Sequence, residues 1–208
     1  MANLITLGRL LLLFILVGLL YRDTVYAQIS AFFLLIIIFV MDGLDGWVAR
    51  RRGESSLFGA IFDIAADRVV ENVLWVVLAD LDRVPIAVAL VFLVRGLLVD
   101  SIRAAGASQQ QRPFDMVVGT LGQWLVAGRF MRIFYAVVKA VAFCWLLLMP
   151  IIAGLLPGIW VAWKTTLEGV GSGLVWFAVV VCIARGLPVV LEFLQYQNES
   201  AAPRESSR

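Results

Sequence analysis

Two long stretches without a charged residue constrain the fold of this chain more than any other feature. Residues 24–41 and 140–163 contain no Asp, Glu, Lys or Arg. A helix needs about 20 mostly apolar residues to cross a bilayer, where its backbone polar groups must be hydrogen-bonded internally. Of the 208 residues, 62% are hydrophobic and 15% are charged, whereas soluble domains are roughly half apolar and a quarter charged. The sequence therefore predicts an all-α polytopic membrane protein.

Six segments have the length and hydropathy of transmembrane helices. They are residues 4–21, 27–47, 59–79, 84–104, 134–156 and 170–192. The third and fourth are less apolar, because they contain Asp63, Asp67, Arg68, Glu71, Arg95 and Asp100. We expect a membrane domain over residues 1–197 and a flexible polar tail over 198–208. The first segment is expected to be a retained helix, since no small-residue cleavage site follows it.

The placement of lysine and arginine predicts the orientation, because cytoplasmic loops of membrane proteins carry an excess of both. The connections after the second and fourth segments, together with the tail, hold Arg50, Arg51, Arg52, Arg103, Arg112, Arg129, Arg132, Arg204 and Arg208. The alternate connections hold only Arg22, Arg83 and Lys164. Both termini and the Arg50–Arg52 connection are therefore expected to face the cytoplasm.

The composition also limits the chemistry. The chain has no histidine, which removes the commonest zinc ligand and the commonest acid–base side chain. A net charge of +2 is too small to indicate a nucleic-acid partner. Cys144 and Cys182 both lie in apolar runs and are expected to be free packing residues. Any catalysis must then rely on carboxylates, arginines and a hard metal ion.

Four aspartates form the most informative pattern. Asp42 and Asp45 are three residues apart at the predicted end of the second helix, and Asp63 and Asp67 are four apart at the start of the third. Both spacings place the two side chains on one helix face. Because the connection is short, the helices are expected to run antiparallel and bring all four carboxylates together near the cytoplasmic interface.

Such a group of like charges indicates a divalent cation site. Ionisable residues in membrane segments are costly and are functional candidates, and an all-oxygen ligand set suits Mg²⁺, Mn²⁺ or Ca²⁺. Small residues nearby, at Gly43, Gly46, Ala49, Gly59 and Ala60, would let helices or a ligand approach closely. The alternative, that the glycines only pack and the aspartates are caps or surface charges, does not explain two acidic pairs in register.

The spacing resembles the signature of the CDP-alcohol phosphatidyltransferases. The match runs Asp42-x-x-Asp45-Gly46-x-x-Ala49-Arg50, then eight residues, then Gly59-x-x-x-Asp63-x-x-x-Asp67. The N-terminal Asn3-x-x-Thr6-x-x-Arg9 is similar to the start of bacterial members such as phosphatidylglycerophosphate synthases. Together these motifs cover about the first third of the chain.

The resemblance implies a fold, a reaction and a site. The fold would be six transmembrane helices, usually in a homodimer of the bacterial or archaeal plasma membrane. The reaction would move a phosphatidyl group from a CDP-linked lipid to a small alcohol and release CMP. Two ions, Mg²⁺ or Mn²⁺, would be held by Asp42, Asp45, Asp63 and Asp67, with Asp67 as the general base. The CDP pocket would be lined by Thr6, Asp45, Gly46, Ala49, Arg50 and Gly59.

The sequence indicates the acceptor alcohol less strongly than it indicates the metal ligands. Basic residues lie at or near the predicted cytoplasmic ends of helices four and five: Arg95, Arg103, Arg112, Arg129, Arg132 and Lys139. They favour a phosphate-bearing acceptor, although the positive-inside rule explains any single arginine equally well. We predict glycerol 3-phosphate as acceptor, with inositol phosphate or another alcohol as the alternative. Its phosphate would bind to Arg129, Arg132 and Lys139.

Two other functional classes fit the carboxylates. A divalent-cation transporter also has intramembrane acidic residues, but transporter sites usually lie at the midplane between inverted repeats. A lipid phosphatase or pyrophosphatase would use the same ions with water as the acceptor. The reaction product distinguishes these classes from a transferase.

Overall fold

The computed structural model describes the backbone of residues 2–52, 57–108 and 128–201, and the side chains over most of that length. Every regular element in these ranges is an α-helix. In chain order they are α1 (Ala2–Leu20), α2 (Val25–Arg52), α3 (Leu57–Asp80), α4 (Ile86–Ser108), α5 (Arg129–Leu155) and α6 (Pro157–Ala201). The all-α prediction is confirmed for the described part of the chain.

Four helix boundaries differ from the prediction by five residues or more: the end of α2, the start of α5 and both ends of α6. α6 continues to Ala201, so it includes the first residues of the predicted flexible tail. α2 continues to Arg52, five residues beyond the predicted end, because Ala49 and the three arginines that follow it are good helix formers. α6 begins at Pro157 instead of residue 170. Proline is well tolerated at the first position of a helix, where its missing N–H has no intrahelical partner to lose.

Three of the helices are long and apolar enough to cross a membrane. These spans are Val25–Gly43, Phe130–Leu155 and Pro157–Leu191, and α1 contributes a shorter apolar stretch, Leu4–Leu20. α3 and α4 carry several charged residues and are not among these candidate spans. The described residues therefore form a helical protein with three candidate membrane spans.

The chain divides into two compact units, and each has its own packing. The first comprises Met1–Ala89 and Lys139–Trp176. α1 packs there against α2 and α3, and apolar side chains recur at helical spacing and are fully buried at Leu13, Leu16, Leu35, Ile38, Leu74 and Leu78. Trp75 is also fully buried, with its ring centre 4.4 Å from that of Phe143 on α5.

The end of α3 is closed by hydrogen bonds that reverse the chain. The Arg83 N–H donates to the Leu78 carbonyl and the Asp82 N–H to the Ala79 carbonyl, the pattern of a Schellman motif. Asp82 takes the left-handed position of this motif, with φ of 55°. Beside it, the Tyr21 hydroxyl donates to Asp80 at 2.5 Å, and this hydrogen bond to an anion raises the pKa of Tyr21. The α1–α2 turn and the α3 end thus lie together.

The second unit comprises Leu90–Val138 and Phe177–Arg208. Val99 on α4 and Val189 on α6 are buried against each other, with Ile102 packed beside them. Nearer the start of α5, the buried Tyr135 ring lies between two guanidinium groups, with its centre 5.8 Å from Arg95 Cζ and 5.1 Å from Arg185 Cζ. This unit therefore combines a small apolar contact with a cationic cluster.

Close packing of α2 against α5 gives a first prediction. A Cβ added at Gly154 would overlap the Val25 side chain, whereas one added at Gly173 would meet nothing within 4 Å. Both positions are helical, so the gain in helix propensity is shared. We expect Gly154→Ala to be less stable than Gly173→Ala by about 1–3 kcal/mol, the usual cost of overpacking. Thermal unfolding in detergent measures the difference, and equal melting temperatures would contradict the close contact.

Candidate metal centre and active site

A buried arginine lies at the centre of the candidate site. Arg9 is on α1, one turn after the buried Thr6, and its side chain is only 1% exposed. The helix that carries it approaches α2 closely, since a Cβ at Gly8 would lie 3.7 Å from Met41 Cε. Arg9 is thereby held where the end of α2 meets the start of α3.

Three carboxylates converge on this guanidinium. Arg9 Nη1 bonds to Asp42 Oδ1, and Arg9 Nη2 lies 2.6 Å from Asp67 Oδ1 and 3.5 Å from Asp63 Oδ1. One oxygen from each aspartate lies within 4.8 Å of the other two. The carboxylate side chains are 42% to 50% exposed. The site is therefore open to a ligand on its carboxylate side and closed on its arginine side.

Electrostatics explains the arrangement. A charge removed from water is costly unless it is paired and hydrogen-bonded, so the buried Arg9 requires acidic neighbours. The same neighbours repel one another, and a single cation among them offsets only part of that repulsion. The group of Asp42, Asp63 and Asp67 keeps more negative than positive charge even with Arg9 bound.

The donor set fits a hard divalent cation. Ligand oxygens around Mg²⁺ or Ca²⁺ lie about 2.0–2.6 Å from the ion, so two of them are separated by at most about 4–5 Å, and the three aspartate oxygens meet that limit. Asp63 Oδ1 is buried and lies 3.5 Å from Arg9 Nη2 without forming a hydrogen bond. Asp42, Asp63 and Asp67 are thus suited to hold such an ion.

A buried acidic residue continues the polar face of α3 one turn further on. Glu71 is 7% exposed, and its Oε2 lies 2.7 Å from Lys139 Nζ and 3.2 Å from Arg68 Nη1. This ion pair joins α3 to α5 directly behind Asp67. Lys139, predicted to bind the acceptor's phosphate, thus already has an acidic partner in the same unit.

A cluster of positively charged side chains lies in the second unit. Arg185 on α6 is 6% exposed and donates from Nη1 to the Met131 carbonyl at 2.9 Å. It is repelled by the charges of Arg95, Arg103 and Arg132, and Arg132 is exposed. Arg185 is therefore near three other guanidinium groups, which come from α4 and α5, and it shares the Tyr135 ring with Arg95.

Comparison with known proteins agrees with the aspartate pattern. The profile of the CDP-alcohol phosphatidyltransferases matches residues 1–184, which is most of the chain. The chain belongs to the CDP-alcohol phosphatidyltransferase family. The resemblance predicted from the eight-position motif is confirmed by a match that extends well beyond it.

Three individual relatives match parts of this chain at 27% to 47% identity. CDP-diacylglycerol–glycerol-3-phosphate 3-phosphatidyltransferase 2 of Arabidopsis thaliana is 27% identical over 134 residues, 59% of this chain and 58% of the relative. The Rickettsia typhi CDP-diacylglycerol–glycerol-3-phosphate 3-phosphatidyltransferase is 27% identical over 101 residues, which are 49% of this chain and 57% of the relative. The Arabidopsis CDP-diacylglycerol–inositol 3-phosphatidyltransferase 1 is 47% identical over 45 residues, which are 22% of this chain and 20% of the relative. Each match covers less than two thirds of the relative's own length.

The structure brings together three of the four predicted family aspartates. Asp45 follows Asp42 by three residues on α2, but its side chain lies outside the described residues, as do those of Ala49, Arg50 and Arg129 and the surroundings of Gly46. Gly59 is partly buried, one turn before Asp63. The assignment of these residues to the CDP and acceptor pockets stays a prediction.

Two candidate functional residues were missed from sequence. Arg9 was noted only as part of an N-terminal similarity, although an arginine inside an apolar helix is itself a signal of a buried ion pair. Arg185 sits likewise in an apolar run of α6. The contacts of Arg9 with Asp42, Asp63 and Asp67 and of Arg185 with Met131 span more than 30 residues, so the tertiary structure is needed to reveal them.

The pairing of Arg9 with carboxylates leads to a metal-dependent prediction. Arg9→Met removes the only cation that bonds to them among the described side chains, and each hydrogen bond to a charged group contributes about 1.5–3 kcal/mol. We expect the melting temperature in EDTA to fall by about 5 °C, and excess Mg²⁺ or Mn²⁺ to restore most of that loss. Arg22→Met, in the turn after α1, is the matched control. An equal loss with and without metal would contradict competition for the same carboxylates.

Proposed function

We propose that this protein transfers a phosphatidyl group from CDP-diacylglycerol to glycerol 3-phosphate, with release of CMP. The observation that carries the proposal is the convergence of Asp42, Asp63 and Asp67 at the α2–α3 junction of a membrane-embedded family member. A diphosphate-linked lipid and a phosphorylated acceptor both need positive charge beside them, and the carboxylates would supply it by binding metal.

The residues have distinct tasks in this reaction. The acceptor's hydroxyl oxygen forms a bond to the β-phosphorus of the donor, the phosphorus next to the lipid. The bond between that phosphorus and the oxygen bridging to CMP breaks, and CMP leaves. The hydroxyl proton passes to a carboxylate, which we assign to Asp67, because the chain has no histidine. A divalent ion, when bound, stabilises charge on the phosphoryl oxygens and on the leaving group.

Arg9 has a positioning task in the proposal. Its Nη2 contacts Asp67 and Asp63 from the buried side, so the open oxygens of these carboxylates are turned toward the ligand. Asp45 would complete the ligand set, and four carboxylates would hold two ions. Thr6, Gly46, Ala49, Arg50 and Gly59 would line the CDP pocket.

The acceptor assignment rests on charge and on named relatives. Proteins from a plant, a Rickettsia and a Mycoplasma that match this chain are named for glycerol 3-phosphate, and a shorter match is named for inositol. Arg132, with Arg129 and Lys139, is proposed for the acceptor's phosphate. Arg95 and Arg185 join the proposed pocket, because they extend the same positive field.

The topology and assembly complete the proposal. Six transmembrane helices would form a membrane domain over residues 1–197, with a polar tail over 198–208. Both termini and the carboxylates would face the cytoplasm of a bacterial or archaeal cell, where CDP-linked lipids and glycerol 3-phosphate are available. The working form would be a homodimer. The charge asymmetry of the connections supports this orientation.

Substitution of the proposed base tests the chemistry. We expect Asp67→Asn to reduce CMP release by at least about a hundredfold, because a carboxamide neither accepts the proton nor binds a hard cation well. Asp80→Asn, on the same helix but remote from the site, is the matched control. Labelled CDP-diacylglycerol and glycerol 3-phosphate in detergent micelles provide the assay. Normal turnover by the Asp67 variant would refute the role, and divalent-ion flux without any CMP release would favour a transporter.

The acceptor pocket is tested separately by kinetics. We expect Arg132→Gln and Arg185→Gln each to raise KM for glycerol 3-phosphate about tenfold or more, the loss of one charged hydrogen bond, and to leave KM for CDP-diacylglycerol nearly unchanged. Arg22→Gln should alter neither constant. A panel of serine, inositol phosphate and glycerol 3-phosphate identifies the acceptor, and a product formed only with serine would refute this assignment.

A further inference from the structure

A cavity lies at the opposite end of α3 from the aspartates. It has a volume of about 520 Å³ and is lined by the loop after α3, the last turns of α5 and the first half of α6. Such a volume is typical of a small-molecule site, about 300–1,000 Å³. Asp63 and the end of α3 at Asp80 are separated by about 25 Å along the helix. The cavity is therefore separate from the proposed transferase site.

Arg83 gives this cavity an anion-binding group. Its Nη2 donates to Gln28 Oε1 at 3.1 Å, and the Gln28 amide donates in turn to the carbonyls of Leu20 and Arg22, at 3.3 and 2.8 Å. Nη1 of Arg83 is buried and has no hydrogen-bond partner among the described residues. Burial also lowers the pKa of Arg83. The guanidinium is thus fixed beside the cavity and desolvated, and its Nη1 lacks a hydrogen-bond acceptor among the described residues.

Two acidic residues line the same cavity. Asp82 adjoins Arg83, and Glu168 on α6 is 54% exposed with Lys164 3.9 Å away. At the φ of 55° that Asp82 adopts, glycine would be the less strained residue, so a carboxylate is present here at a conformational cost. A wholly anionic ligand would be repelled by these two groups, and a wholly cationic one would leave the Arg83 donor unsatisfied. A zwitterion complements both.

The rest of the wall is apolar and lies at the end of a membrane span. Met149 and Pro150 belong to the last turns of the span Phe130–Leu155, and Trp160 and Trp176 line the α6 side. Tryptophan is enriched at the interface between lipid and water. This position favours an amphiphile whose chain continues into the bilayer over a small soluble molecule.

We propose that this cavity binds the headgroup of a zwitterionic phospholipid that carries a primary amine. The lipid phosphate accepts from Arg83 Nη1, and the ammonium donates to Asp82 and Glu168. The glycerol and the acyl chains lie along the apolar wall. A primary ammonium has three N–H donors for carboxylates, whereas a trimethylammonium has none, so the site discriminates between the two headgroups.

Native mass spectrometry of the full-length protein tests this site. The protein is released from micelles or nanodiscs that contain equal amounts of phosphatidylethanolamine, phosphatidylcholine and phosphatidylglycerol. We expect one phosphatidylethanolamine to be retained about tenfold or more over either other lipid, and Arg83→Gln to abolish that retention. Arg22→Gln, at the same end of the bundle but outside the cavity, should behave as wild type.

The acidic side is tested with a variant of Glu168, whose exposed side chain can be changed without disturbing the packing. Glu168→Gln should bring retention of phosphatidylethanolamine down to that of phosphatidylcholine, and Asp23→Asn is the matched control. Glycerophosphoethanolamine, which lacks acyl chains, should displace the lipid only weakly. Equal retention of all three lipids, a preference for phosphatidylglycerol, full retention in the Arg83 variant, or complete displacement by the soluble headgroup would each overturn the proposal.

Discussion

The contact between Arg9 and three aspartates is the constraint on which the described structure depends. A guanidinium that is 1% exposed must be paired, and its partners come from two other helices. The packing of α1 against α2 and α3 and the closeness of the carboxylates are therefore one requirement. Moving any of the three helices would leave either a buried cation or a cluster of like charges without compensation.

The same contact leaves the carboxylates able to bind a metal ion. One monovalent cation faces three carboxylates, so the group retains affinity for further positive charge. Because Arg9 approaches from the buried side, it orients the carboxylates without closing their exposed face. The ion pair of Glu71 with Lys139, one turn beyond Asp67, fixes the same helix against α5. The site therefore rests on rigid helices, and the proposed transfer would benefit from this, because its phosphorus and hydroxyl groups must be aligned.

Much of this arrangement could be predicted from the sequence. The Asp63–Asp67 spacing placed two carboxylates on one face of α3, and the short connection brought Asp42 to the same place, because both features are local. The contact of Glu71 with Arg68 could also be predicted, because the two residues are three apart on α3. Lys139 and the aspartate partners of Arg9 could not be predicted, since they lie on other helices far along the chain. The start of α6 was also missed, because Pro157 fits both the end of one helix and the first position of the next.

The distribution of charge along α3 explains why a hydropathy criterion leaves it out of the candidate spans. Asp63, Asp67, Arg68 and Glu71 all lie in its first two thirds, and the segment from Asn72 to Ala79 is almost wholly apolar. At 24 residues the helix is about 36 Å long, which exceeds the roughly 30 Å of hydrocarbon. Its charges face Arg9 and Lys139 within the protein, so the cost of placing them in a membrane is offset by pairing. In the proposed six-helix topology, this pairing is what would allow α3 to cross the bilayer.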